Sequence, residues 1–268
     1  MRIETVHDKG VGIVNEDFLL VSNPTFGVFD GATGLVPYMS PEGKTGALLA
    51  STLVGETFTN AEKSLEELAV DASAALQLAM EDASVDTTKK TSRWSTSGAA
   101  VRITGSQLEW LQVGDCLILV INKDGSHRVL VENYNHDLET LLMWQELTSK
   151  GVENVRAELM PQLLKVRDNT NVTYGAFNGE RAVEKFTHTG TISLDEVSEI
   201  LLFTDGLFIP KENPEASDDF GTFVSLYKEG GLEKVRAVVR EMEEGDPKCA
   251  KYPRFKQFDD IGAIALSF

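Results

Sequence analysis

The sequence predicts an α+β protein in which a mixed or antiparallel sheet system is covered by helices. Short apolar runs with strand character recur from the first part of the chain to its end, and amphipathic helical patterns occupy separate segments between them. Turn signals, not helices, join the runs in the middle of the chain. Strands and helices therefore do not alternate regularly, as they would in a parallel α/β fold.

Seven apolar runs have the length and side-chain content of strands. They are Phe18–Val21, Phe26–Phe29, Ala99–Ile103, Leu108–Gln112, Leu117–Ile121, Ile200–Phe203 and Ile261–Leu266. Gly105-Ser106 and Lys123-Asp124-Gly125-Ser126 supply turns beside the three middle runs. We therefore predict an antiparallel meander in the middle of the chain.

Four segments have helical signals. Ser40, followed by a proline, is predicted to be the N-cap of a helix that leads into Thr45–Phe58. A capping-box pattern begins at Ser64, and apolar residues at helical spacing continue from it to Met80. The other two segments are Asp137–Lys150 and Leu232–Glu244, each ended by a glycine.

The overall composition limits the partners and locations that are expected for the protein. The 268 residues include 42 acidic and 25 basic side chains, a net charge of -17 that disfavours nucleic acid and anionic membrane as partners. No apolar run is long enough for a transmembrane helix, and the first residues do not resemble a signal peptide, so we expect a cytoplasmic protein. No linker divides the chain, and one domain over residues 1–268 is predicted.

The two cysteines, Cys116 and Cys249, form no CxxC pattern, so structural zinc is not expected. A disulfide between them stays open, with a reduced protein as the simpler expectation.

Aspartates stand next to five of the predicted strands, although aspartate is disfavoured within strands. Asp17, Asp115 and Asp259-Asp260 precede a strand, whereas Asp30 and Asp205 follow one. Each alone would be a strand-end turn. If the strands lie side by side, however, the carboxylates gather at one rim, where they repel each other unless cations neutralise them. Oxygen ligands favour Mg²⁺, Mn²⁺ or Ca²⁺, and such sites suit phosphate chemistry.

Six short blocks in this order resemble those of the type 2C protein phosphatases, the metal-dependent serine/threonine phosphatases, and their bacterial-type members most. The blocks are Asn15-Glu16-Asp17, Val28-Phe29-Asp30-Gly31, Ser97-Gly98-Ala99-Ala100-Val101, Val113-Gly114-Asp115-Cys116, Phe203-Thr204-Asp205-Gly206 and Asp259-Asp260-Ile261. Together they extend over nearly the whole chain.

The resemblance implies an αββα sandwich, two stacked antiparallel sheets flanked by helices, with two Mn²⁺ or Mg²⁺ ions at one end. Asp30 would bridge both ions and Asp17, Asp205 and Asp259 would complete them. The ions would activate a bridging hydroxide that attacks a phosphoserine or phosphothreonine monoester of a phosphoprotein, opposing a serine/threonine kinase.

The same resemblance gives roles to three further residues. Gly31 would offer its carbonyl to a metal, Glu16 would hold a metal-bound water, and Asp115 matches a position for a third ion.

The sequence departs from the family pattern in four places. Residues 8–14, shortly before the first block, contain no arginine to bind the substrate phosphate, and Lys9 is the only cation there. Ala32 replaces a histidine found in some members, and Cys116 replaces a serine in the Asp115 block. Ile209-Pro210 stands where a second acid often helps to hold the third ion.

Three other functional classes have partial sequence support. The Asp30 loop lacks the second aspartate of haloacid-dehalogenase-like phosphatases, and Gly43-Lys44-Thr45 lacks the first glycine and the strand of a P-loop. A pseudophosphatase, which keeps the fold and binds a phosphoprotein without turnover, is the main alternative. The missing arginine favours it, whereas the retained aspartates favour catalysis.

Overall fold

Two antiparallel β-sheets of five strands each lie at the centre of the protein. The computed structural model describes residues 1–132 and 134–268. Its strands are β1 (Arg2–Asp8), β2 (Phe18–Ser22), β3 (Thr25–Gly31), β4 (Thr96–Thr104), β5 (Gln107–Val113), β6 (Leu117–Asn122), β7 (His127–Val129), β8 (His188–Ser193), β9 (Val197–Phe203) and β10 (Ile261–Ser267). Sheet I has the order β1-β10-β9-β6-β7, and sheet II has the order β2-β3-β4-β5-β8.

Six α-helices accompany the sheets in the described part of the chain. They are α1 (Gly46–Thr57), α2 (Leu65–Asp82), α3 (Leu138–Ser149), α4 (Val155–Glu158), α5 (Met160–Asp168) and α6 (Phe220–Glu244). Helices α1 and α2 pack on sheet II, and α6 packs on sheet I. In the part of the chain that the structure describes, no helix combines the length and apolar character needed to cross a membrane.

Apolar side chains fill the space between the sheets and beneath the helices. Phe26 and Val28 of sheet II are fully buried with Ile118, Leu202 and Ile264 of sheet I. Separate buried clusters join each sheet to its helices. The predicted αββα arrangement of two stacked sheets between helical layers is confirmed.

The predicted meander is wrong at its middle connection: hairpins form at both predicted turns, β4–β5 and β6–β7, but β5 and β6 lie in different sheets. Strands β4 and β5 pair as expected, but β6 pairs with β9 in the other sheet. The turn at Gly114, where φ is +78°, carries the chain from sheet II to sheet I. A glycine at such a position is typical of a hairpin turn, but here the chain crosses from one sheet to the other.

The first helix begins later than predicted. Thr45 is the N-cap of α1, and its hydroxyl accepts the Leu48 N–H at 3.2 Å. Ser40 instead lies in a turn, where its hydroxyl accepts the N–H groups of Glu42 and Lys44, each at 3.2 Å. The capping box at Ser64 is confirmed.

Other predictions need extension. The predicted helix Leu232–Glu244 forms the second half of α6, and its first half was missed. Gly230 and Gly231 have non-helical backbone angles and separate the two halves, so the helical pattern is not continuous along the sequence. Strands β1, β7 and β8 were missed because they are edge strands with few buried side chains. Cys116 and Cys249 are free and buried in different clusters, so the disulfide alternative is wrong.

Candidate metal centre

The ends of both sheets bring the predicted aspartates to one end of the sandwich. In sheet II, Phe18 pairs with Phe29, so Asp17 before β2 and Asp30 near the end of β3 are neighbours. In sheet I, Phe203 pairs with both Leu117 and Ala263, which brings the residues flanking β6, β9 and β10 together. A cavity of about 170 Å³ opens at this end, and its lining includes Asp30, Asp115, Asp205 and Asp259.

Burial and mutual repulsion raise the pKa of three of these carboxyl groups. Burial raises the pKa of Asp17 well above its ordinary value, against the hydrogen bond from Thr204, and nearby acidic groups add to the rise. Burial also raises the pKa of Asp30, to which the charges of Asp17 and Asp205 contribute. Burial raises the pKa of Asp205 to about 8, with further increases from Asp259 and Asp115. Crowding of this kind disfavours the charged form of each carboxyl group, and a bound cation would favour it again.

Several of the carboxyl groups have a partner within the protein. The Thr204 hydroxyl donates to Asp17 Oδ2 at 2.8 Å, and Asp205 shares a hydrogen bond with Asp30. The Lys256 ammonium lies 2.7 Å from Asp259 Oδ1. Across residues 1–132 and 134–268, no group of three or more carboxylate, imidazole or thiol side chains is arranged to hold a metal ion.

The donor chemistry nevertheless fits a hard divalent cation. The candidate ligands are carboxylates and a backbone carbonyl, all of them oxygen donors. Their raised pKa values reflect crowded negative charge that a cation would relieve. Binding would require Asp259 to exchange its ion pair with Lys256 for the metal. The residues therefore fit a metal by type and location.

Comparison with known proteins identifies the family. A family model described as Protein phosphatase 2C matches residues 9–237, most of the chain. The chain belongs to the protein phosphatase 2C family. A search of curated proteins found no significant match.

Solved structures of bacterial phosphatases share the fold. The Mycobacterium tuberculosis serine/threonine phosphatase PstP/Ppp has a TM-score of 0.62 at 15% identity, with 100% of this chain and 98% of that chain covered. The PstP catalytic domain in complex with two manganese ions has a TM-score of 0.58 at 16% identity, covering 98% and 96%. The Staphylococcus aureus phosphatase Stp1 has a TM-score of 0.60 at 15% identity, covering 99% and 94%. At these identities the likeness concerns the fold.

Two residues that the family resemblance assigned to the metals have other contacts in this protein phosphatase 2C chain. The Glu16 carboxylate is buried and accepts the Thr33 hydroxyl at 2.6 Å and the Thr45 hydroxyl at 2.7 Å. It therefore ties the N-terminus of α1 to the loop after β3. Gly31 lines the cavity, and a Cβ there would lie 2.4 Å from the Glu16 carbonyl oxygen, so only glycine fits this close approach.

Asp260 differs in role from its neighbour Asp259. The Asp260 carboxylate accepts the Gly10 and Glu16 N–H groups, each at 2.8 Å, and is buried. It thereby joins the start of β10 to the segment before β2. In this family member Asp260 supports the site and Asp259 faces the cavity.

Sequence reasoning missed several charged or polar residues of the cavity wall. They are His136, Asp137, Arg156, Arg167, Tyr174 and Lys256. Burial raises the pKa of Asp137, His136 lowers it, and the charge of Asp115 adds to the rise. The His136 and Tyr174 rings stack with centroids 4.0 Å apart. Most of these residues come from the connection between β7 and β8, whose linear spacing carries no motif.

Proposed function

We propose that this chain is a Mn²⁺- or Mg²⁺-dependent phosphatase that hydrolyses phosphoserine and phosphothreonine monoesters in proteins. The observation that carries the proposal is the crowded cluster of carboxyl groups, Asp17, Asp30 and Asp205, at the end of the two sheets beside an open cavity. Membership of the protein phosphatase 2C family supports the same chemistry. A phosphoprotein substrate, an opposing kinase, a cytoplasmic location and a single domain belong to this proposal.

Asp30 would contact both core ions, and Asp17, Asp205 and Asp259 would complete their ligands. Asp115, on the wall of the same cavity, would hold a third ion if one binds. Two ions held there would supply an activated water nucleophile and neutralise the charge of the phosphoryl oxygens.

The chain's own contacts orient these ligands. Thr204 fixes the Asp17 carboxylate, and its hydroxyl oxygen also accepts the Gly262 N–H at 2.9 Å. The Thr96 hydroxyl donates to the Asp30 carbonyl at 2.6 Å, which fixes the backbone at the end of β3. Held side chains lose less entropy when a ligand binds, so these contacts favour a preorganised site.

A pseudophosphatase that binds a phosphoprotein without turnover is the second candidate. One observation favours it: the Lys256–Asp259 ion pair and the Asp30–Asp205 hydrogen bond satisfy the carboxyl groups without a metal. The retained aspartates favour the enzyme, because crowded buried carboxyl groups without a cation destabilise the fold.

One experiment separates the two candidates. Protein stripped with a chelator is titrated with Mn²⁺, Mg²⁺ or Ca²⁺ while hydrolysis of nitrophenyl phosphate, a phosphoserine peptide and a phosphothreonine peptide is followed. Asp30→Asn is the test variant, and Asp195→Asn, at an exposed position after β8, is the matched control. The proposal predicts hydrolysis that Mn²⁺ or Mg²⁺ restores, that the control keeps and that Asp30→Asn loses. Phosphopeptide binding without hydrolysis under any metal would establish the pseudophosphatase instead.

A further inference from the structure

The segment before β2 leaves the substrate phosphate without a cationic partner. It contains no arginine, and the Lys9 ammonium donates to the Gly12 carbonyl at 3.0 Å. Lys9 is exposed and is not part of the wall of the carboxylate cavity. A phosphate monoester near Asp30 and Asp205 would therefore need positive charge from elsewhere, because the surrounding aspartates repel it.

Three cations line that cavity: Arg156, Arg167 and Lys256. Lys256 is already neutralised by Asp259 at 2.7 Å. The two arginines lie on neighbouring helices, Arg156 on α4 and Arg167 on α5. In the described part of the chain, neither arginine has a carboxylate within ion-pair distance.

Arg167 is held in place by neutral acceptors. Its Nη1 donates to the Ser95 hydroxyl at 3.0 Å, and its Nη2 donates to the Thr33 carbonyl at 3.3 Å. The Ser95 backbone carbonyl in turn accepts the Ala32 N–H at 3.0 Å, so the guanidinium contacts residues on both sides of the loop that follows Asp30. The Arg167 guanidinium group is thus held at the cavity wall by two uncharged acceptors.

Arg156 differs from Arg167 in its side-chain contacts. It is half-buried and has no hydrogen bond or ion pair with the residues that the structure describes. It lines the carboxylate cavity and also the neighbouring cavity that contains Glu16 and Thr33. Its helix is anchored by the buried side chain of Val155 and by that of Leu159, which follows the helix as its C-cap.

We propose that Arg156 and Arg167 form the binding site for the substrate's phosphate dianion and replace the arginine missing before β2. Arg167 supplies a preoriented guanidinium and Arg156 closes on the anion from the adjacent helix. Guanidinium groups suit this task because they bind two oxygens of a phosphate in parallel and keep their charge at any physiological pH. The inference rests on the proposed function, since it identifies how that site binds its substrate.

The test uses Arg156→Met, Arg167→Met, the double variant and Arg167→Lys, each loaded with Mn²⁺. Arg128→Met, at an exposed position on edge strand β7, is the matched control. Calorimetry measures the Kd for inorganic phosphate and, in separate titrations, for Mn²⁺, while kinetics give kcat and KM on a phosphopeptide. Because Arg167 also fastens a loop, the unfolding temperature of each variant is recorded.

Each methionine variant is expected to raise the phosphate Kd and the KM about tenfold or more, with a smaller change in kcat and with Mn²⁺ affinity within about twofold of wild type. Arg167→Lys should be intermediate, since it keeps the charge and loses the fork. A double variant with the phosphate Kd and KM of the control would overturn the proposal, as would a loss that Mn²⁺ affinity shares in full.

Failure of the proposed function has a different signature. A wild type that hydrolyses nothing, yet loses phosphopeptide binding when the arginines are replaced, would refute the phosphatase and retain the arginine site. A wild type that hydrolyses phosphopeptides, with unaffected double-variant KM, would refute the arginine site alone.

Discussion

Replacing Lys256 by methionine should tighten metal binding while weakening the metal-free fold. The Lys256 ammonium lies 2.7 Å from Asp259 Oδ1, a separation at which unit charges attract by about 6 kcal/mol at an effective dielectric constant of about 20. The two side chains are 27% and 38% exposed, so solvent screening reduces this gross attraction. We take about 1.5–3 kcal/mol as the net contribution, as for other charge-assisted hydrogen bonds.

A metal ion that binds Asp259 must compete with this ion pair. Removing the ammonium therefore removes the competition, and a gain of about 1.5–3 kcal/mol corresponds to a Kd lower by roughly 10- to 100-fold. Without a metal, the same change leaves Asp259 near Asp30 and Asp205 without the ammonium group that pairs with it. The metal-free variant should then unfold at a lower temperature than the wild type.

The assay is Mn²⁺ calorimetry and thermal unfolding on chelator-treated protein. Lys150→Met, which removes an exposed ion pair with Glu146 on α3, is the matched control and should change neither quantity much. Unchanged or weaker Mn²⁺ binding by Lys256→Met would refute the reasoning, because it would mean that Lys256 does not compete for Asp259.

The remaining predictions concern four aspartates. Asp30→Asn should lower metal-dependent turnover more than about 100-fold, since losing a residue that only orients a metal ligand already costs about 10- to 100-fold. The same variant should raise the metal-free unfolding temperature by removing one carboxyl group from the crowded cluster. Burial raises the Asp205 pKa to about 8, so between about pH 4 and 8 the folded state binds more protons than the unfolded state. The metal-free stability should therefore fall as the pH rises, and unfolding scans across that range would check this. Asp246→Ala should cost about 3–5 kcal/mol in urea unfolding, because it breaks a buried ion pair with Arg254 at 2.8 Å. Asp115→Ala should leave Mn²⁺ binding by the core ligands nearly unchanged. It should slow the hydrolysis of a phosphopeptide more than that of nitrophenyl phosphate, since only the leaving group of the phosphopeptide needs a proton. Equal losses on the two substrates at saturating Mn²⁺ would contradict this.

The strand-end aspartates could be predicted because their signal is local. A run such as Phe26–Phe29 indicates a strand by composition, and an aspartate at its end is conspicuous without any tertiary information. Pairing registers then bring the strand ends together, as when Phe203 pairs with Leu117 and Ala263. The edge strands β7 and β8 have mainly exposed side chains, so no hydrophobic period indicates them.

The cationic residues of the site could not be predicted in this way. Arg156 and Arg167 lie on helices in the long connection between β7 and β8, and nothing in their spacing relates them to Asp30. Lys256 lies in a loop whose conformation depends on Arg254, which donates to the carbonyl oxygens of Tyr252 and Gln257. Such contacts depend on tertiary packing. The sequence could therefore show that an arginine was missing before β2 but not where a substitute lies.

The charge distribution explains why the site needs these cations at short range. A net charge of -17 attracts divalent ions and repels phosphoproteins, and both effects fade beyond about 8 Å at physiological salt. Within that distance, a phosphate meets the carboxyl groups of Asp30 and Asp205, whose repulsion bound cations would cancel. Arg156 and Arg167 then add attraction that the metals alone do not supply. On the proposed function, metal binding and phosphate binding would depend on different side chains in one cavity, so substitutions should separate them.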